Sequence, residues 1–491
     1  MLAATSLGAI WTASSTDTGP TAVLDRLKQI EPTILFADNA SFYNGRNHPV
    51  LPKVAEIAAS LLTLEAVIIL PSTSSMDVDL NSINLSSGSV YDYHSFISQG
   101  TPSSELNFAQ LSPDHPVYIL YSSGTTGAPK CIVHSALGTL IQHKKEHALH
   151  CSIWPGARLF YYTTTTWMMW HWLVSGLASG ATLILYSGSP FRYRSSIPSP
   201  DPSNSSSTPT STPDDLAMPR LISELGITHF GTSAAYLSHL EQKSLLPVAT
   251  IPMPTLKAIY STGSPLAPST FAYVYRAFPA TVNLGSITGG TDIISLFGAS
   301  CPLLPVYAGE IQCLGLGMAV RVYDPDGNDI TATGDEGDLV AVRPFPSQPT
   351  SFWGPDGREK YRASYFDRFE GVWHHGDFVR VNPTTGGLVM LGRSDGVLKP
   401  AGVRFGSAEI YNLVLRHFAG SVADALCVGR RRQTDVDETV VLFLKMEEGR
   451  AFDEELVKEV KACVRRELSA RHVPGVVVEC TEIPVTSNGK K

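Results

Sequence analysis

Between residues 20 and 135 the spacing of apolar positions alternates between two patterns. "TAVLDRLKQI" and "KVAEIAASLLT" place their apolar residues three or four apart, as one face of a helix requires. "TILFA" and "AVIIL" are short unbroken apolar runs of the kind that form buried strands. The rhythm continues downstream: "RLFYYTT" reads as a strand, "HWLVSGLASG" as a helix, "ATLILY" as a strand, "LISELG" as a helix and "THFGT" as a strand. Strands alternating with helices predict an α/β fold of parallel sheets covered by helices. The opening "MLAATSLGAIWTA" has the apolar core of a signal peptide without its basic leading residues, and is read instead as a buried helix of a larger domain.

Two breaks divide this pattern. Residues 187–215, "SGSPFRYRSSIPSPDPSNSSSTPTSTPDD", are too rich in Ser, Pro and Thr to supply a core and predict a disordered surface insertion. Near residue 394 the character shifts again, and "GRSDGVLKPAGVRFGSAEIYNLV" leads into a compact run of strands and helices. A large domain over residues 1–392 and a small α+β domain over 393–491 follow from this shift.

Composition narrows the classes. With 491 residues, 43% hydrophobic and 17% charged, the chain exceeds one ordinary core and is not a disordered polymer. A net charge of -8 with no compensating basic block argues against nucleic acid as the main partner. Seven cysteines, at 131, 151, 301, 313, 427, 463 and 480, show no CxxC or Cys/His metal spacing and fit reduced thiols of a cytoplasmic protein. No run of 18 apolar residues is present, so no membrane span is expected.

The candidate chemistry begins at "YILYSSGTTGAPKCIVH", residues 118–134. A strand-like run enters Ser122, Ser123, Gly124, Thr125, Thr126 and Gly127, closes with Pro129 and Lys130, and resumes as a strand. Backbone N–H groups of a Gly-rich turn converge on an anion, Ser and Thr hydroxyls add donors, and the lysine adds a mobile positive charge. A Walker A loop is excluded, because its second glycine would fall on Pro129 and its loop opens into a helix rather than a strand. An ordinary polar hairpin has the same local composition.

Three further segments follow in order: "WHHGDFVRV" (373–381), "LGRSDGVLKPAGVRFGSAEI" (391–410) and "IPVTSNGKK" (483–491). With the loop, they resemble the motifs of the adenylate-forming superfamily, which holds acyl-CoA synthetases, luciferases and peptide-synthetase adenylation domains. "VLDRLKQIEP", "WMMWHWLVSGLASGATL", "GGTDI", "SARHVPG" and Cys131 directly after Pro129 and Lys130 look most like the acetoacetyl-CoA synthetase subfamily. That subfamily's large domain begins upstream of the position matched by Met1, and its chains continue past the match to Lys491, so a shortened chain is expected.

The resemblance implies an acid–thiol ligase using ATP, Mg²⁺ and coenzyme A, with acetoacetate as the favoured acid. A second implied reading is a ligase for another short or β-keto acid, and a third is an inactive nucleotide-binding paralogue. Residues 122–130 would embrace the β- and γ-phosphates, with Thr126 and Lys130 nearest the chemistry. Gly263, Ser264 and Pro265 would line the adenine slot, Asp377 would accept the ribose hydroxyls, and Arg393 would meet ribose or phosphate. Thr291 and Asp292 stand where relatives carry Thr-Glu, which makes Asp292 the metal candidate. Short-acyl relatives carry a tryptophan where this chain has Gly289, so that position is expected to open the acyl pocket. Trp167, Met168, Met169 and Thr262 would face it. In the small domain the resemblance makes Asp395 a hinge and Lys490 the lysine of the adenylation step. Gly402, Arg404 and Arg465 would contact coenzyme A.

Overall fold

The computed structural model describes residues 1–73, 78–100, 105–122, 129–193, 213–394, 397–398, 405–430, 432, 439–470 and 472–484. Ser123, Gly124, Thr125, Thr126, Gly127, Asp395, Gly402, Arg404 and Lys490 lie outside the described residues, as does 194–212 of the Ser/Pro-rich stretch.

Alternating strands and helices form parallel sheets, as the apolar spacing predicts. Ile34–Asp38, Ala66–Leu70 and Ser89–Asp92 make a three-stranded parallel sheet. The helices Pro20–Ile30 and Leu51–Ser60 cover it through Val23, Leu27, Val54 and Ile57. A second parallel sheet has five strands in the order Asn283–Ser286, Ala258–Thr262, His229–Ser233, Arg158–Tyr161 and Thr182–Ile184. Such strands are apolar on both faces because helices cover both. Met218, Leu221, Leu237, Phe271 and Val274 lie on one side, and Met169, Trp172 and Leu173 pack with Tyr161 and Tyr260 in a separate cluster.

An antiparallel hairpin lies between the two in sequence. Pro116–Ser122 pairs with Lys130–Ser135, with Ser122 opposite Lys130. A strand does follow the loop, as expected. Ser351–Phe352 adds a third strand that sets Phe352 opposite Ile132. An antiparallel sheet in the order Val320–Tyr323, Gly337–Ala341, Trp373–Val381 and Leu388–Arg393 completes the large unit.

The opening segment departs from expectation. Only Leu2–Ser6 is helical and none of its residues is buried. Gly8, at φ +81°, follows the helix, and the chain then runs extended beside the hairpin. Trp11 donates its N–H to the Val117 carbonyl at 2.9 Å and accepts from the Ile119 N–H at 3.0 Å. The opening run therefore builds one short unburied helical turn and then, at Trp11, joins the edge of the hairpin sheet.

Beyond residue 397 the chain forms its own core. Leu398, Ile410, Leu413, Val414, Val422, Leu442, Leu444, Val460 and Val464 form one buried cluster. The helices Ser407–His417 and Glu454–Glu467 and the strands Val422–Arg430, Thr439–Met446 and Val476–Glu479 contribute to it. A large and a small α/β unit are therefore both present, as the motif order implies.

Candidate active site

Lys130 opens its strand, and its side chain lies on the same face as Ile132 because strand side chains alternate. Phe352, paired with Ile132, therefore comes within reach. The Lys130 ammonium lies 5.6 Å from the centre of the Phe352 ring and 5.1 Å from that of Tyr365. Two ring faces attract a cation without neutralising it. Tyr365 ends the helix Gly357–Tyr365 and stacks on Trp373 at 3.8 Å between ring centres, with 14° between their planes.

The Tyr365 hydroxyl donates to Asp292 Oδ1 at 2.5 Å. Burial, and then the Asp292 carboxylate, push that hydroxyl well above its usual range, so the tyrosine stays the donor. Asp292 sits in the short 3₁₀ turn Thr291–Ile293. Ile294, immediately after it, is fully buried and left-handed at φ 47°, ψ 33°. For a residue with a branched Cβ this conformation costs roughly 1–2 kcal/mol and persists only where surrounding contacts hold it.

The third group comes from the strands Trp373–Val381 and Leu388–Arg393, which pair Asp377 with Arg393. Arg393 Nη1 donates to Asp377 Oδ1 at 2.9 Å and to the His375 carbonyl at 3.2 Å. Gly376, at φ +80°, lets the guanidinium cross the strand, since a Cβ there would lie 2.7 Å from Arg393 Nη2. Asp377 is 5% exposed, and its Oδ2 receives a long 3.4 Å bond from the Thr288 hydroxyl.

Together Lys130, Asp292, Ser364, Tyr365, His374, His375, Gly376, Arg393 and Ser394 line a cleft of about 220 Å³. Two cations and one carboxylate at its wall suit a polyanion that carries a cation of its own. Among the described residues no group of three or more His, Cys, Asp or Glu is placed to hold a metal alone. The single Asp292 carboxylate fits a magnesium ion shared with phosphates, which takes only one or two protein carboxylates.

The other expected residues fall elsewhere. Ser122 ends the first hairpin strand, opposite Lys130. Gly263, at φ +95°, and Ser264 are exposed just beyond the strand Ala258–Thr262, with Pro265 and Thr262 half-buried beside them. Trp167 precedes the helix Met168–Ser175, and Met168 packs against the cluster of Tyr118, Leu120 and Ile294. Met169 turns into the core with Trp172 and Tyr161, so it is not a free wall residue. Arg465 is exposed on the helix Glu454–Glu467, in the small unit.

Gly289 requires a correction. A Cβ there would lie 2.1 Å from the Ser295 carbonyl oxygen and 2.5 Å from Leu296 Cα. The room left by the missing side chain is taken by the neighbouring strand Ser295–Ala299, not by an open pocket.

Tyr365 and Phe352 are the site residues that motif reading misses. The Tyr361–Tyr365 spacing on a helix was the one available signal, and it reads equally well as core.

The chain belongs to the AMP-binding enzyme family. The family's model matches residues 1–198, and the model of the AMP-binding enzyme C-terminal domain matches residues 409–490. Within that family it is an AMP-forming acid–thiol ligase by its relatives. It is 56% identical over 495 residues to malonamoyl-CoA synthetase of Penicillium aethiopicum, covering 100% of this chain and 66% of that protein. It is 47% identical over 494 residues to acetoacetyl-CoA synthetase of Gallus gallus, covering 100% and 70%. Acetoacetyl-CoA synthetase from Streptomyces lividans superposes with a TM-score of 0.87 at 37% identity, over 100% of this chain and 69% of that one. The chain thus spans about two thirds of the length of these relatives.

Proposed function

We propose that this chain activates a short carboxylic acid bearing a carbonyl on its β-carbon, acetoacetate first among them, and transfers the acyl group to coenzyme A. Two half-reactions are implied. A carboxylate oxygen attacks the α-phosphorus of ATP, the bond to pyrophosphate breaks, and an acyl-adenylate forms. The coenzyme A thiolate then attacks the acyl carbonyl, a thioester forms and AMP leaves. The observation that carries the reading is the convergence of Lys130, Asp292 and Arg393 on one cleft.

In this scheme Lys130 binds the departing phosphates together with Ser122, Ser123, Gly124, Thr125, Thr126 and Gly127. Asp292, beside Thr291, would hold a magnesium ion brought in with the phosphates, and that ion would supply positive charge to the departing group. Asp377 accepts the ribose hydroxyls, Arg393 meets phosphate or ribose, and Gly263, Ser264 and Pro265 flank the adenine. Trp167, Met168 and Thr262 orient the acid. Lys490 serves the first half-reaction, while Gly402, Arg404 and Arg465 serve coenzyme A after rotation about Asp395.

The acid class rests on the relatives' names. Malonamoyl and acetoacetyl groups both carry a carbonyl one methylene from the thioester, with an amide nitrogen or a methyl beyond it. ATP–pyrophosphate exchange should therefore be measured with acetoacetate, malonamate, butyrate and acetate, together with CoA-thioester formation. The first two acids should exceed the last two in kcat/KM. Exchange with none of the four would overturn the function, and equal exchange with butyrate would overturn the β-carbonyl specificity.

A further inference from the structure

We infer that His143 and Glu146 are positioning residues that lock the Thr291–Asp292 turn to the helix Met168–Ser175, so that the metal-side carboxylate and the acid-facing helix move as one body. This rests on the proposed reading of that turn and that helix.

Both residues are fully buried, His143 on the helix Ala136–Lys145 and Glu146 at the start of the π-turn Glu146–His150 that continues it. Wider π-turns shift the facing of side chains and are frequent at functional sites. His143 Nε2 lies 2.6 Å from the Ile294 carbonyl, and its Nδ1 lies 2.9 Å from Ser175 Oγ. A carbonyl only accepts, so Nε2 carries the proton, and in the neutral ring Nδ1 is an acceptor that shares the Ser175 hydroxyl with the His171 carbonyl, also at 2.9 Å. The ring is kept neutral chiefly by burial, which lowers its pKa. The left-handed Ile294 is thereby held through its own carbonyl.

Glu146 acts on the next residue. Its Oε1 accepts from the Ser295 hydroxyl and from Gln142 Nε2 at 2.8 Å, and its Oε2 accepts from Trp172 Nε1 at 2.9 Å. Gln142 Nε2 also lies 2.8 Å from Ser295 Oγ, which leaves the serine proton for the carboxylate. These three partners donate, the Lys145 ammonium stands 4.0 Å from Oε1, and a carboxylate is the group that accepts from three donors beside a cation. Trp172 and Ser175 are three apart on the helix that begins beside Trp167, and Ile294 and Ser295 directly follow the turn. Two adjacent residues of one element are thus tied to one face of the other. Neither His143 nor Glu146 lines the cleft, so neither is a catalytic residue.

The test compares wild type with Glu146→Gln, His143→Gln and the double variant Glu146→Gln/Trp172→Phe. An amide at 146 turns its NH₂ toward a donor, and Trp172→Phe removes that donor. Hydrogen exchange of the free protein is the first readout, since it needs no activity. Glu146→Gln should speed exchange across 291–296 by about tenfold or more while 258–262 stays as in wild type, and the double variant should recover part of the loss. In pyrophosphate exchange, the concentrations of Mg²⁺ and acid needed for half-maximal rate should both rise, by roughly tenfold, more than kcat falls. Faster exchange spread evenly over the chain, or unchanged protection at 291–296 in a folded variant, overturns the inference. Absence of exchange activity in wild type would overturn the proposed function and leave the hydrogen-exchange result to decide this one.

Discussion

Replacing Asp377 by Asn separates nucleotide binding from folding. The side chain keeps its shape, so the 5% exposed position is neither emptied nor overpacked. In the folded protein the loss is small. Asp377 gives up the charge opposite Arg393, whose side chain is 53% exposed and therefore already solvated, and such pairs contribute under about 1 kcal/mol. Its Oδ2 loses little, because the bond from Thr288 is 3.4 Å long and His375 Nε2 stands 3.7 Å away, beyond hydrogen-bond distance. Ligand binding loses much more. A carboxylate accepting two ribose hydroxyls forms two charge-assisted hydrogen bonds of about 1.5–3 kcal/mol each. Asn keeps one accepting oxygen and presents an NH₂ where the other stood, so about 2–3 kcal/mol should disappear, or roughly 30–150-fold in affinity. Titration calorimetry with AMP and thermal melts of the same preparations measure both quantities. Unchanged AMP affinity in a folded Asp377→Asn variant would refute the ribose assignment, and a melting loss as large as the affinity loss would make Asp377 a structural residue.

Tyr365→Phe removes the hydroxyl that orients Asp292 while keeping the ring under Lys130, so the Mg²⁺ requirement of pyrophosphate exchange should rise several-fold with little change in melting temperature. An unchanged Mg²⁺ dependence would count against Asp292 as the metal carboxylate. Gly289→Ala should lower the melting temperature and weaken MgATP binding without altering the acid preference, since its Cβ meets strand backbone at 2.1 Å. A clean shift towards acetate in Gly289→Trp would restore the pocket model instead. Lys490→Ala should impair pyrophosphate exchange and spare thioester formation from synthetic acyl-AMP, with Gly402→Leu doing the reverse; equal loss of both steps in either would argue against domain rotation. Burial holds His134, His147 and His171 at a pKa of about 3 and His229 at about 4, against 6.5 unfolded. Their stabilisation is complete above that unfolded value and is lost as the pH falls below it; at pH 5.5 the four unfolded rings together bind roughly four more protons, about 5 kcal/mol. A melting temperature flat from pH 7.5 to 5.5 would contradict this.

The parts of the fold readable from sequence are those set by local spacing. The parallel sheets follow from helix-spaced and strand-like runs, and the antiparallel pair Pro116–Ser122 and Lys130–Ser135 follows from the two strand-like runs that flank the glycines. The opening segment misled because its apolar residues serve a sheet edge against Val117 and Ile119, more than a hundred positions away. Motifs named Lys130, Asp292 and Arg393, yet not what holds them. Phe352 reaches Lys130 through a strand pairing with Ile132, and Tyr365 reaches Asp292 across 73 positions. Register between distant strands is a property of the packed sheet and is not written in either strand alone. The same reason explains Gly289, which reads as space until the neighbouring strand is in place.

Tyr365 also shows how opposite charges are kept apart in a cleft this small. Among the described residues no carboxylate lies within 4.0 Å of the Lys130 ammonium, although Asp292 lines the same cleft. The tyrosine ring faces the lysine at 5.1 Å while its hydroxyl engages the aspartate at 2.5 Å. A direct ion pair would satisfy both groups before any nucleotide arrived, and phosphate would then have to break it. With the ring facing the lysine and its hydroxyl on the aspartate, the lysine's charge is not taken up by a carboxylate of the described residues and stays available to phosphate. The ring's attraction for an ammonium is about 0.5–1 kcal/mol when exposed, small enough for a polyanion to overcome. Replacing Tyr365 by Leu should therefore let the two charges pair and weaken MgATP binding more than Tyr365→Phe does, although both remove the hydroxyl.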